Sequence, residues 1–131
     1  MHSFLFVKNG VKYSKVLFSD ILYVEALNKY VRIITKTKKI LIQAPISHIE
    51  KALPAEFFCR IHRSYLISLF YLNDFEADVA HVADQSLPIS RSYRDALSQR
   101  LLILKNLTGG DLPGSAGMQD SQDLSTDAEA A

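Results

Sequence analysis

Positions 3–7, largely apolar, read as a strand whose side chains face outward and inward in turn; Asn9-Gly10 follows, and positions 11–17 carry the returning strand. Two such runs on either side of an Asn-Gly pair predict a β-hairpin. Positions 21–26 are β-branched and aromatic, Asn28-Lys29 interrupts them, and positions 30–35 resume with Val31 and Ile33 in alternation. A basic turn at 36–39 leads into a returning strand at 40–43. After Pro45 the period lengthens. Ile46, Ile49, Ala52 and Leu53 share one helical face, with Ser47 as N-cap, Glu50 three residues on and Pro54 as the stop. Phe58, Cys59 and Arg60 read as strand, and further short strands follow at 65–68, 72–75, 79–82 and 87–89. A second helical spacing begins near Ser92, with Tyr93, Ala96, Leu97, Leu101 and Leu104 on one face and Arg94, Asp95, Gln99 and Arg100 outside it. The class is therefore mainly β, built of short strands on tight turns with one or two short helices.

With 131 residues and 48% apolar content, the chain is long enough for one domain with a real core. Its one cysteine, Cys59, excludes an intramolecular disulfide and any multi-cysteine zinc site. The opening MHSFLFVKNG lacks the basic start and long apolar stretch of a leader, and no window approaches the roughly 18 apolar residues of a membrane span. A cytoplasmic location is expected. The net charge of +1 conceals a division. Residues 1–105 hold all fifteen basic residues against nine acidic ones, for +6, and the remainder holds five acidic residues and no basic one, for −5. We therefore expect a basic domain over 1–105, suited to a polyanionic partner, and a disordered acidic tail over 106–131. The tail reads either as a solvating segment or as a self-inhibitory mimic of DNA.

Enzyme templates fail. The chain has no glycine-rich phosphate loop, and His2, His48, His62 and His81 are scattered away from metal-ligand spacing. Cys59 stands three residues from His62 without an orienting third group, so a small buried thiol is the better reading. No cofactor, metal or small-molecule substrate is expected. Three segments instead combine basic, amide and hydroxyl side chains at strand junctions: Asn28-Lys29-Tyr30, His62-Arg63-Ser64-Tyr65 and Ser90-Arg91-Ser92-Tyr93-Arg94. Base edges are read by donors and acceptors held on short loops, while Lys and Arg neutralise phosphates. Each segment alone also reads as an ordinary solvated turn. Tyr23, Tyr65 and Tyr93 read as core anchors, His62 as a ring that fixes its loop, and Glu25 as the partner of a basic neighbour.

The order and spacing of FSDILYVEALNKYVRI, APISHIEKALPAEFFCRIHRSYLISL and LPISRSYRDAL resemble the LytTR DNA-binding domain of bacterial response regulators, over about residues 3 to 104. The resemblance implies an elongated fold of about ten short strands and a sequence-specific transcription regulator. In such regulators loops enter successive major grooves and the minor groove between them, and they read promoter direct repeats with two copies side by side. By position, the implied base contacts are Asn28, Tyr30, Arg63, Arg91 and Ser92. The fork of Arg91 suits a guanine edge, the amide of Asn28 an adenine, and Arg63 a narrow minor groove. The implied phosphate contacts are Lys29, Lys36, Lys38, Lys39, Arg60, Ser64 and Arg94. The pattern begins within a few residues of Met1, so no receiver domain is expected ahead of it in this chain, which is either a stand-alone regulator or part of a longer one. A sensor kinase or a membrane protein is a further possible partner. The alternative function is a LytTR-fold interaction module that modulates another regulator or sensor without binding DNA.

Overall fold

The computed structural model describes residues 3–107. Residues up to Leu101 form one compact unit. Of the second unit, residues 102–107 are described and have no regular structure. The acidic stretch expected over 106–131 lies, beyond Leu107, outside the described residues.

Among the described residues, ten strands and two α-helices follow in the order β1 (Phe4–Asn9), β2 (Lys12–Leu17), β3 (Ile21–Leu27), β4 (Tyr30–Thr35), β5 (Lys39–Ile42), α1 (Ile46–Ala52), β6 (Phe58–His62), β7 (Tyr65–Ser68), β8 (Leu72–Phe75), β9 (Val79–Val82), β10 (Gln85–Pro88) and α2 (Arg91–Gln99). The mainly β class is as expected. A five-stranded antiparallel sheet, ordered β5-β4-β3-β7-β6, is the frame. Alternation along its strands makes two cores. Val24, Val31, Ile33, Phe58 and Leu66 face Ile46, Ile49 and Leu53 around α1 and Val7 and Val16 of the β1–β2 hairpin. Tyr23, Ile34, Cys59, Ile61 and Ile67 face Ala80, Val82 and Leu87 of the β8–β10 sheet, together with Ile89 and Leu97. A sheet covered on both faces needs apolar side chains on both, which is why β4 and β7 read as nearly continuous apolar runs. Bulges between Ile21 and Tyr23, and between Arg60 and His62, each add a residue and re-aim the strand after it.

Several local features depart from expectation, among them β1, which runs on to Asn9, and β10, which spans Gln85–Pro88 where 87–89 was expected. The first hairpin turns at Gly10-Val11, one residue later than the Asn9-Gly10 reading, with Gly10 taking the positive φ (66°) that the first loop position demands. Lys39 already belongs to β5, paired with Ile34. The N-cap of α1 is Pro45, so Ser47 lies inside the helix without a capping bond, and Ala52 is exposed. Helix α2 starts at Arg91, with Ser90 as its N-cap, and stops at Gln99. Leu101 packs on the second core from the turn beyond the helix, and Leu104 is not helical. Apolar periodicity overshoots here because spacing marks a face only where a core surface lies under it.

Candidate nucleic-acid interface

Antiparallel pairing decides where each polar turn stands. Strand β3 ends at Leu27, so the Asn28-Lys29 turn closes one end of the sheet. Strand β7 runs opposite to β3 and starts with Tyr65 beside Glu25, which brings the Arg63-Ser64 turn to the same end. The Ala26 N–H donates to the Ser64 carbonyl at 2.8 Å and ties the two hairpins together. The Ser90 N–H donates to the Ile61 carbonyl at 2.9 Å, so the first turn of α2 stands beside the same end of β6. The three polar segments therefore lie at the same end of the sheet, with the centres of the two hairpins about 10 Å apart from the usual strand spacing.

In the first segment Asn28 adopts the left-handed conformation (φ 49°), which Asn tolerates better than most residues. Asn28, Lys29 and Tyr30 are all exposed. Beneath them Glu25 accepts from Arg32 at 2.9 Å and from the Tyr65 hydroxyl at 3.2 Å, which supplies the basic partner expected for Glu25. Burial first, then the Glu25 charge, pushes the Tyr65 phenol above its usual pKa, so it stays a donor.

In the second segment the Ser64 N–H donates to Nδ1 of His62 at 3.0 Å, and the His62 ring lies 5.7 Å from that of Tyr65. His62 fixes the loop, as its sequence context suggested. Arg63 projects into solvent. Arg60 does not. Its side chain is 14% exposed, with Nε on the His62 carbonyl (2.8 Å), Nη2 on the Arg63 carbonyl (2.6 Å) and Nη1 on Glu50 (2.8 Å). Three of the five guanidinium donors, one on each nitrogen, are thus taken by protein oxygens, which makes Arg60 an internal brace and leaves it less free for a phosphate than Arg63 or Arg91.

In the third segment Arg91 and Ser92 are exposed in the first turn of α2, which carries no acidic residue and no side-chain cap. Unsatisfied N–H groups and the positive end of a helix dipole favour an anion there. Arg94 donates from Nε to the Ala77 carbonyl at 2.7 Å, on the turn between β8 and β9.

Among the described residues, Lys29, Arg63 and Arg91 make no ion pair. The structure brings Asn28, Lys29, Tyr30, Arg63, Ser64, Arg91 and Ser92 to one end, with Arg94 beside them. It does not bring Lys36, Lys38 and Lys39 there. They lie around the β4–β5 turn, at the opposite end of β4, roughly 17 Å away at strand rise. Lys36 is bound to Asp20 through its N–H (3.0 Å) and its ammonium (3.6 Å). The resemblance implied these lysines as phosphate contacts alongside Lys29, but a six-residue strand separates the two turns. Cys59 is buried, and desolvation pushes its thiol pKa up, which suits an inert core residue. The described residues hold no group of three or more His, Cys, Asp or Glu placed for a metal, and none of their helices is long and apolar enough to cross a membrane.

These features define a β-rich module whose candidate recognition surface is a row of turns and one helix start. The family model of the LytTr DNA-binding domain matches residues 12–102, and the chain belongs to that family. It is thereby a DNA-binding domain of the transcription-regulator class, from a family that is not enzymatic. Among solved structures, it is similar to the LytTr DNA-binding domain described as belonging to a methyl-accepting/DNA response regulator from Bacillus cereus, at 21% identity and TM-score 0.66, covering 79% of this chain and 100% of that one. At that identity the likeness establishes the shared fold. A comparison with curated proteins gives no match.

Proposed function

We propose that this chain reads specific promoter sequences through the row of turns at one end of its central sheet. The observation that carries the reading is the grouping of Lys29, Arg63 and Arg91, three exposed cations without an ion pair, on separate turns held side by side. Arg91 and Asn28 offer two-pronged contacts to base edges, Tyr30 and Ser92 line the same edges, and Arg63 enters the minor groove between. Lys29, Ser64 and Arg94 hold phosphates, helped by the α2 N-terminus. Two copies side by side on a direct repeat would double the contact length, and a sensor kinase or membrane protein would supply the signal in the cytoplasm.

The test is selection from a randomised duplex pool, followed by titration of the enriched site at increasing salt. A single enriched motif is expected, with log affinity falling by about 0.9 per phosphate neutralised for each tenfold rise in salt. Absence of any enriched motif would sink the reading.

One observation favours a second reading, a module that modulates another regulator without DNA. The outer face of the β1–β2 hairpin exposes Phe6 (54%) and Tyr13 (63%), and Phe57 and Phe70 flank an apolar hollow at the end of the sheet opposite the turns. Exposed apolar surface of this kind marks partner sites. Co-purification of a regulator or sensor, without salt-dependent DNA binding, would decide for it.

A further inference from the structure

We propose that Arg60 is a positioning residue that holds the 63–64 turn and the α2 N-terminus in register, and so sets the spacing at which Arg63 and Arg91 meet DNA. The proposal rests on the DNA reading above. Strand β6 is an edge strand, and its bulge between Arg60 and His62 leaves Ile61 out of the regular ladder just before the turn. Such a turn, exposed at its tip, would open locally at small cost. Arg60 closes it. One planar guanidinium takes the carbonyls of His62 (2.8 Å) and Arg63 (2.6 Å), the two residues that lead into the turn. The Glu50 carboxylate on α1 holds the same guanidinium at 2.8 Å. The plane is also anchored sideways, because its central carbon lies 5.8 Å from the ring of Tyr93, two residues after Arg91. The Ser90 N–H bond to Ile61 adds a second tie from the bulge to the start of α2. The segment 60–63 is thus joined to the third turn at two points, both within three residues of Arg63 or Arg91.

The chemistry demands arginine. A lysine ammonium keeps the charge but has one nitrogen on a flexible stem, and it cannot span two carbonyls and a carboxylate in fixed geometry. Glu50 already neutralises Arg60, so exchange to lysine leaves the electrostatics toward phosphate almost unchanged. What it removes is register, and base readout needs its side chains placed to about 0.5 Å.

The experiment uses the full chain carrying Arg60→Lys, the randomised duplex pool, an unrelated duplex of equal length, and amide hydrogen exchange. We expect equal affinity for the unrelated duplex and about tenfold weaker binding to the enriched site, a loss the size of one weakened base contact. The base preference should flatten under both Arg63 and Arg91. The Ser64 and Ser90 amides should exchange faster, while those of Val24 and Ile33 in the sheet keep their protection. A folded Arg60→Lys chain that enriches the same motif at the same affinity overturns the proposal. Equal losses on both duplexes overturn it too, because they make Arg60 a phosphate ligand. If Arg60→Lys does not fold, Tyr93→Leu decides: flattened preference under Arg91 supports the coupling, and an unchanged motif overturns it. If the unsubstituted chain enriches nothing, the DNA reading itself has failed and this one falls with it.

Discussion

Arg60 and Arg91 carry the same guanidinium, and their surroundings give them opposite duties. Arg60 has each of its nitrogens committed to a carbonyl or carboxylate, while Arg91 stands exposed without an ion pair at a helix start. A side chain already satisfied inside gains little by turning to DNA, and an unsatisfied one gains a charge-assisted pair. At this scale we expect Arg91→Ala to cost about 1–3 kcal/mol on the enriched site and to relax the preference at one base pair. Lys29→Ala should instead weaken binding evenly across sequences and lower the salt slope by about 0.9. Paired titrations of the two variants on matched and mismatched duplexes separate the roles. A uniform loss in both would reassign Arg91 to the phosphates.

At the scale of elements, turn chemistry decides how firmly the row of side chains is presented. The Asn28 turn closes β3 on β4 with a two-residue loop and a left-handed backbone at its first position. Asn28→Gly should therefore keep stability nearly unchanged, and Asn28→Val should cost about 1–2 kcal/mol, measured by urea unfolding. Equal stability of the two variants would show that the turn carries no strain. The same scale shows what local sequence reveals. The bounds of β7 and β9 follow directly from their β-branched and aromatic residues, since a strand buried on a sheet face must show that face in its own residues. The α1 cap was less legible. Ser47 has the right residue type, but Pro45 is restricted to a fixed φ and takes the boundary two residues earlier. The two bulges left no local signal, because each depends on the partner strand as much as on its own.

For the molecule as a whole, two cores share one sheet, and the end proposed for recognition is built on both. Leu97 is 1% exposed and is the buried residue through which α2 packs on the second core beside Cys59 and Ile61. Leu97→Ala should cost about 2–5 kcal/mol, the usual range for truncating a buried leucine. Cys59 reports the loss, since its buried thiol is shielded until the chain opens. Its labelling by a thiol reagent should quicken by roughly 30-fold or more where labelling follows global opening. A labelling rate untouched by Leu97→Ala would mean that the thiol is reached by local motion alone.

The sequence by itself determined the mainly β class, most strand bounds, the two helices and the three polar segments, because periodicity and turn chemistry are properties of neighbouring residues. It also placed His62 as the residue that fixes its loop and Glu25 as one half of an ion pair. Only the tertiary structure decided which of those basic turns stand together. A lysine-rich turn has the same composition at either end of a sheet, and the antiparallel order of β5-β4-β3-β7-β6 is what puts Lys29 with Arg63 and Lys36 at the far end. It also showed what holds Arg60, since the carboxylate and ring that meet it lie on two different helices.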